Sequence, residues 1–330
     1  MPVRDPLSPA VAAVRLAARR ALTDAGIDRA VVALSGGADS LALAAAVAFE
    51  APRLGIAVTA VTVDHGLQGG SADVAARAAS QARELGLDAE VARVVVGEAG
   101  GPEAAAREAR YGALARVARE RDAGAVLIAH TLDDQAESVL LGLARGSGTA
   151  SLKAMAPARV GGGIRWIRPL LGVRRAQTLD ACRAEALEPW HDPHNADAAY
   201  ARVRVRQRVL PVLEVELGPG VAEALARTAE QLREDDDAFA QLIDEVIEDV
   251  VEHAEAGIAI SVRALQANPA ALRHRIIRLV VSSEFGASLT RAQTFEVARL
   301  ATDWHGQGPI DLPGCRARRE GDRVVVQAAG

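Results

Sequence analysis

The sequence predicts an α/β fold, a doubly wound parallel sheet followed by a smaller, mainly helical C-terminal domain. Three observations predict it. Short apolar, β-branched runs alternate with alanine-rich helical stretches from the N-terminus to about residue 145. Polar residues punctuate the ends of three of those runs, at 35–40, at Asp64 and His65, and at His130. Sheets of this kind hold ligands at the carboxyl ends of their strands, so the three ends converge on one edge. A break at 211–220, with Gly218, Pro219 and Gly220, then separates domains at 1–217 and 218–330.

The elements follow in order. Residues 1–24 read as an amphipathic helix beside the first strand, which ends at Leu34. An alanine-rich helix occupies 41–49. A continuous β-branched run, 56–63, is the second strand, and Ser71 caps a helix over 71–85. Residues 89–96 are the third strand, 97–102 a loop, 103–121 a helix and 125–129 the fourth strand. A helix over 133–145 stops at Gly146 and Gly148. Beyond the break, 221–255 is a long helix with apolar Leu225, Leu232, Phe239, Leu242, Ile243, Val246 and Val250 and a solvated acidic side. Residues 269–282 form a basic helix carrying Arg273, His274, Arg275 and Arg278, and 309–327 a terminal hairpin.

Composition narrows the function classes. Half of the 330 residues are hydrophobic, enough for a sizeable core, and aromatics make up only 3%. Cys182 and Cys315 are the only cysteines and form no CxxC pair, so no disulfide framework, zinc knuckle or iron–sulfur site is indicated. No apolar run is long enough to span a bilayer, and the N-terminus lacks the pattern of a signal peptide. A soluble cytoplasmic protein is expected. The net charge of −5 hides an uneven distribution: 159–208 is rich in arginine and 230–255 is acidic. Binding follows the local field, so a nucleic-acid partner stays open.

The run Ser35-Gly36-Gly37-Ala38-Asp39-Ser40 follows a strand and opens a helix. Gly36 and Gly37 allow a sharp turn and close approach of amides to an anion, and the helix N-terminus favours phosphate. Ser35 and Ser40 add hydroxyls. Asp39 repels phosphate unless a cation intervenes, which points to magnesium. The loop lacks the lysine of a Walker A motif and the spacing of the dinucleotide fingerprint. An ordinary tight turn is the competing reading. Asp64 either holds a ribose or caps the next helix. Glu103, Arg107 and Arg110 share a helix face, as a solvated ladder or as a group in which Glu103 or Arg107 orients Arg110 toward phosphate. In His130-Thr131-Leu132-Asp133-Asp134-Gln135-Ala136-Glu137, Asp133, Asp134 and Glu137 cluster on one helix face. Like charges so close need a cation, magnesium or an ammonium. His191 and His194 flank Pro193 and read as a polar loop. Arg202, Arg204, Arg206 and Arg208 spread around a helix that can grip a backbone or phosphates.

Ser-Gly-Gly-x-Asp-Ser resembles the loop of the PP-loop ATP pyrophosphatases, whose fold is the adenine nucleotide alpha hydrolase type. The full order is more specific: that loop, Asp-His-Gly-Leu, Glu-x-x-x-Arg-x-x-Arg-Tyr, Ala-His-x-x-Asp-Asp-Gln-x-Glu, Arg-Gly-Ser-Gly, Arg-Pro-Leu-Leu and an arginine-rich segment ending in Leu-Pro, over about 31–211. It resembles the tRNA(Ile)-lysidine synthase family, in its short form. The resemblance implies ATP and magnesium as cofactors, L-lysine and a tRNA(Ile) with a CAU anticodon as substrates, and a homodimer. It implies that Ser35, Gly36, Gly37, Ala38, Asp39, Ser40 and Asp64 hold nucleotide and metal. It also implies that Asp39, Arg110, Asp134 and Glu137 carry the chemistry, and that His130, Asp133, Asp134, Glu137, Arg202 and Arg206 face cytidine, lysine and tRNA. The helical C-terminal domain would contact tRNA. The chain departs from the family at Val203, where asparagine is usual, at Gln68, where arginine is usual, and mildly at Ser138. The rival PP-loop reading, a thiolating tRNA enzyme, needs reactive cysteines, which Cys182 and Cys315 supply poorly.

Overall fold

A computed structural model describes residues 7–66, 69–97, 101–146, 148–192, 196–254 and 257–329, with the side chains at 102, 103 and 254 left out. The expectations for Leu67, Gln68, Ser147, Pro193, His194 and Asn195, and for the side chain of Glu103, lie outside the described residues. The chain divides into two compact units, Met1–Arg233 and Glu234–Gly330.

The first unit runs α1 (Pro9–Ala25), β1 (Arg29–Ala33), α2 (Ala38–Glu50), β2 (Ala57–Asp64), α3 (Ser71–Glu84), β3 (Asp88–Arg93), α4 (Pro102–Glu120), β4 (Ala125–Leu127), α5 (Leu132–Ala144) and α6 (Thr149–Leu152). It continues through β5 (Ala158–Gly161), β6 (Ile164–Ile167), α7 (Arg175–Ala184), α8 (Ala201–Arg204) and α9 (Leu210–Glu216) into α10 (Val221–Val250). The sheet order is β3-β2-β1-β4-β6-β5, parallel except for the edge strand β5. Both faces are covered, as the period of two along β1 requires. Ala30 and Val32 pack with α1, α2 and α7, while Val31 packs with Leu114 and Val117 of α4 and with Trp166 of β6. The alanines of α2 bring that helix close to the sheet, with Leu41, Leu43 and Val47 buried. Each such side chain contributes about 1.5–3 kcal/mol of burial. The strand order reverses between β1 and β4, so the crevice of this doubly wound sheet opens at their carboxyl ends.

The strands and helices anticipated between residues 25 and 145 are present within a few residues. The first helix starts at Pro9 rather than at residue 1, with 7 and 8 outside it and 1–6 outside the described residues. The pair β5–β6, which completes the sheet, was not anticipated from sequence. Ser71 does not cap α3. Gly70 is the N-cap, and the Ser71 hydroxyl donates instead to Asp64 Oδ1 at 2.7 Å.

The second unit holds the end of α10, then β7 (Val251–Ala254), β8 (Gly257–Ser261), α11 (Val262–Ala267), α12 (Ala270–Phe285), α13 (Arg291–Thr302), β9 (Ile310–Leu312), β10 (Cys315–Glu320) and β11 (Arg323–Ala328). Its helices pack on a five-stranded antiparallel sheet, β7-β8-β11-β10-β9, so the expected terminal hairpin is part of a larger sheet. The long helix ends five residues earlier than expected, because Val251 leaves it to pair with Ile260. Ile276, Ile277, Leu300, Val324 and Val326 centre the core. The structural division at 233/234 falls later than the sequence boundary at 217/218. Glu214 accepts the amides of Gly220, Val221 and Ala222 at 2.7, 3.3 and 3.1 Å, and Ala222 packs with Leu132, Ala136 and Leu210. The Gly-Pro-Gly turn is thereby a corner inside the first unit. No helix among the described residues is long and apolar enough to cross a membrane.

Candidate active site

The loop after β1 is built by its own hydroxyls. Ser40 Oγ accepts the Ser35 amide at 3.1 Å, donates to the Gly37 carbonyl at 2.9 Å and lies 3.1 Å from Ser35 Oγ. Gly36 has φ +83°, where an L side chain costs roughly 1–2 kcal/mol, and a Cβ there would stand 3.4 Å from Ala78 Cβ. Its carbonyl accepts the Trp190 amide at 2.9 Å. Gly37 is the N-cap of α2, so the amides that open at a helix start face the crevice. Ala38 begins the helix and its carbonyl receives the Cys182 thiol at 3.3 Å. Asp39 lies in the first turn. Its Oδ1 accepts the Thr178 hydroxyl, and its Oδ2 lies 3.4 Å from Arg175 Nε. Burial pushes the Asp39 pKa up, and Arg175 and Thr178 reverse only part of that rise. At the end of β2, Asp64 accepts the Gly66 amide at 3.1 Å as well as the Ser71 hydroxyl.

The carboxylates of α5 stand at the neighbouring strand end. Thr131 caps the helix in a reciprocal box. Asp134 Oδ2 accepts the Thr131 amide at 2.8 Å and hydroxyl at 2.9 Å, which fixes the Asp134 rotamer. Its Oδ1 takes Arg175 Nη2 at 2.7 Å and Arg206 Nη2 at 3.5 Å. Glu137, 0% exposed, accepts Arg175 Nη1 at 3.0 Å. Arg206 grips Glu137 with two bonds, Nε–Oε1 at 2.7 Å and Nη2–Oε2 at 3.0 Å. The sequence requires a cation among these carboxylates, and in the structure Arg175 and Arg206 supply the positive charge. Burial works to raise the Asp134 pKa, but Arg175 and the Thr131 bonds outweigh it and hold the carboxyl below its usual range. Burial likewise opposes the charge on Arg175, and Asp134, Glu137 and Asp39 together hold its pKa above the ordinary value. Asp133 faces elsewhere, accepting the Arg175 backbone amide at 2.7 Å.

Arg206 reaches Glu137 from a π-helical turn, Val205–Val209, between α8 and α9. The extra residue in such a turn re-aims the side chains after it. Arg202 stands 3.6 Å from Glu137 and donates to Ser138 Oγ at 3.2 Å. Val203 is buried at 6% exposure, so position 203 packs inward and gives the substrate side nothing. Beside Glu137 lies a cavity of about 260 Å³, walled by Asp133, Arg174, Arg175, Arg206 and Glu214. Both signs of charge line it, since Arg174 stands 3.7 Å from Asp133, 3.6 Å from Glu214 and 3.4 Å from Glu223.

Comparison with known proteins decides what this constellation belongs to. Residues 12–213 match the model of the PP-loop domain and residues 260–325 that of the TilS substrate binding domain. A tRNA(Ile)-lysidine synthase of Leifsonia xyli subsp. xyli is 62% identical over 292 residues, 88% of this chain and 87% of that protein. One from Thermobifida fusca is 51% identical over 326 residues, 97% and 98% of the two chains. The chain belongs to the tRNA(Ile)-lysidine synthase family. Among solved structures, the U34-tRNA thiolase of Methanococcus maripaludis with its [4Fe-4S] cluster is 22% identical. It covers 68% of this chain and 79% of its own, with a TM-score of 0.59, and shares the fold.

Two residues assigned through the lysidine synthase motifs stand on the α4 side of the crevice. His130 follows β4, and its buried Nδ1 has no hydrogen-bond partner. Burial lowers its pKa to about 4, with Arg168, Arg107 and Arg110 adding to the drop and Asp134 opposing it. His130 is therefore uncharged at neutral pH. The unfolded chain regains the ordinary value of 6.5, so acidification from about pH 6.5 to about 4 favours unfolding, by on the order of 2 kcal/mol. His130→Asn should flatten Tm against pH in that window, and a variant that tracks wild type there refutes this role. Arg110 is exposed, 5.9 Å from the Tyr111 ring centroid, and makes no ion pair with a described residue. Arg107 turns to the Tyr111 hydroxyl at 3.2 Å rather than orienting Arg110.

Arg175 and Thr178 were missed as site residues. Arg175 reads in sequence as one more member of an arginine-rich run, and its place at the start of α7 is the only local signal. No group of three or more potential ligands that could hold a metal occurs among the described residues. Magnesium binds through one or two carboxylates and completes its shell with phosphate oxygens and water. Asp39 is the carboxylate beside the loop, so the donor set fits a nucleotide-borne ion.

Proposed function

We propose that this protein ligates L-lysine to C2 of the cytidine at the first anticodon position of tRNA(Ile) with a CAU anticodon. ATP is split to AMP and pyrophosphate on the way. The cytosine O2 attacks the α-phosphorus and pyrophosphate leaves. The lysine ε-amine then adds to C2 and AMP departs, giving lysidine. Activation is needed because a base carbonyl oxygen is a poor leaving group until adenylated. The observation that carries the reading is Arg175. One guanidinium touches Asp39 of the loop and Asp134 and Glu137 of α5, so the phosphate end and the carboxylate pair make one site.

In this reading the amides of Gly36, Gly37 and Ala38 and the Ser35 hydroxyl receive the leaving pyrophosphate. Ser40, bonded to the Ser35 amide and the Gly37 carbonyl, holds the loop in shape for it. Magnesium, when bound, neutralises the phosphate charge, and Asp39 would hold it. Arg110 stabilises the transferring phosphoryl group, and Asp64 holds the ribose. His130, uncharged, contacts the splayed base. The 260 Å³ cavity receives lysine as a zwitterion, its carboxylate toward Arg174 or Arg206 and its amine toward Asp134 and Glu137. That amine must share both carboxylates with Arg175 and Arg206. The second unit contributes a tRNA contact, where His274 and Arg291 flank Phe295 at 4.7 and 4.5 Å.

The cysteines speak against thiolation. Burial, with Asp39 and Glu185 adding to it, pushes the Cys182 thiol up to about 12, and Cys315 is buried in the other unit. A thiol so raised is a poor nucleophile. Radiolabelled lysine, ATP and the CAU tRNA transcript test the proposal. Lysine should enter the tRNA with equimolar AMP and pyrophosphate, and a transcript with uridine at the first anticodon position should accept none. Sulfur incorporation, or ATP turnover without lysine transfer, refutes it.

A further inference from the structure

We infer that the catalytic unit carries a separate phosphodiester subsite, formed by Arg107, Arg159 and Arg168 around the Tyr111–Trp166 ring pair, which holds the backbone of the RNA strand presenting the target base. The inference rests on the tRNA reaction proposed above and adds a place that neither the loop nor the α5 carboxylates supply.

Charge is the first ground. The arginine-rich stretch is not uniformly free. Arg174, Arg175, Arg183, Arg202 and Arg206 all face carboxylates, and Arg165 and Arg204 are tied to backbone carbonyls. Arg159 and Arg168, with Arg107 from α4, make no ion pair among the described residues, yet they converge. Arg107 lies 4.8 Å from the Tyr111 ring centroid, and Arg159 lies 5.6 Å from it and 5.8 Å from Trp166. The two rings stand 4.8 Å apart. Guanidiniums held against aromatic faces keep their planar donor forks ordered, which suits phosphate oxygens.

Burial is the second ground, and it is independent. Arg168 is 6% exposed. Its Nη1 donates to the Ala156 carbonyl at 2.7 Å, its guanidinium also bonds the Tyr111 side chain, and its Nε is buried without a partner. A buried cation without a counter-ion is costly, and the usual solution is an anion. The nearby His130 Nδ1 is the second unpartnered buried atom on this side.

Placement selects the source of that anion. The nucleotide's phosphates have their cradle after β1. This cluster sits on α4, β5 and β6, across β4 in the sheet order. Arg110, assigned above to the transferring phosphoryl group, borders the same Tyr111 ring at 5.9 Å, so the cluster adjoins that group, while Arg107 and Arg159 open to solvent. An exposed row of cations on an aromatic base is how single-stranded nucleic acid is held.

The double variant Arg107→Gln/Arg159→Gln tests this, because both side chains are exposed and Tm should not move. Binding of the CAU tRNA is titrated against potassium chloride, and ATP is titrated alone by calorimetry. The tRNA Kd should rise about tenfold, and the slope of log Kd against log salt should fall by about 1–2, as expected for two lost phosphate contacts. ATP affinity should stay within twofold. An unchanged slope with lysine transfer intact overturns the subsite alone. A loss of ATP affinity with the tRNA slope unchanged assigns the arginines to nucleotide phosphate and overturns it too. A wild-type protein that binds tRNA but transfers no lysine sinks the reaction and leaves the subsite standing if the variant's slope falls.

Discussion

Arg175→Ala should lower the stability of the catalytic unit by about 3–5 kcal/mol at pH 7.5, the usual cost of removing one partner from a buried charge network. For a unit of this size that is a fall in Tm of roughly 6–20 °C. The guanidinium holds Asp134 at 2.7 Å, Glu137 at 3.0 Å and Asp39 at 3.4 Å, and its own backbone amide holds Asp133. Arg206 still neutralises Glu137 in the variant, but Asp39 loses the one guanidinium it meets among the described residues and Asp134 keeps one at 3.5 Å. The sign of the pH dependence follows. In the wild type the Asp134 pKa is lowered by folding, so its contribution is present above the ordinary carboxylate value and is lost as pH falls through the lowered one. In the variant, burial acts on Asp39 against the Thr178 bond, and on Asp134 against the Thr131 bonds and Arg206 at 3.5 Å. The Asp39 pKa therefore rises further above its unfolded value, and that of Asp134 rises relative to wild type. The variant therefore regains stability as pH falls from 8 to 5, and the gap between the two proteins narrows. Arg175→Lys recovers only part of the loss, because an ammonium cannot reach three carboxylates in fixed directions. A Tm within 2 °C of wild type, or a gap that does not change with pH, refutes this account of the network.

What the sequence revealed of this site was local, and what it hid was long-range. Ser35 to Ser40 and His130 to Glu137 are legible because strand, turn and helix start within a dozen residues, and their polar groups are placed by that local geometry. The position of the crevice also follows from the alternation of strands and helices. Arg175 is more than 130 residues from Asp39, and only the packing of α7 against α2 brings them together. Nothing in a run of arginines marks the one that turns inward. The same limit explains Ser71, which looks like a cap by position but is captured by Asp64 across the loop. It explains the second unit as well. Val251 has a strand partner only because Ile260 returns beside it, and the apolar spacing of the preceding helix carries no sign of that return. The π-helical turn that directs Arg206 has no sequence signature either. Its consequence, a bidentate grip on Glu137, is visible only in three dimensions.

Asp39→Asn should leave the fold intact and slow adenylation severely. The wild-type carboxylate is held at a cost, since burial raises its pKa more than Arg175 and Thr178 lower it. A group whose folded pKa is raised is destabilising when ionised at neutral pH, so the amide relieves that cost. It also keeps an oxygen for the Thr178 hydroxyl. Tm at pH 7.5 should therefore equal or slightly exceed that of wild type, in contrast to Arg175→Ala. Activity should move the other way. The carboxylate stands in the first turn of α2, beside the amides proposed to receive pyrophosphate, where its charge is useful only if a cation lies between it and the phosphates. Losing that charged contact should slow AMP–tRNA formation by about 3–5 kcal/mol, on the order of 10²–10⁴-fold. Nucleotide binding separates this role from a purely structural one. Without magnesium, ATP should bind the asparagine variant more tightly than wild type, because a repulsive charge has gone. With magnesium the order should reverse. Calorimetric titration of ATP across a magnesium series, read beside thermal melting, checks both halves. If the two proteins respond to magnesium in parallel, Asp39 does not hold the ion, and its burial against Arg175 and Thr178 is structural.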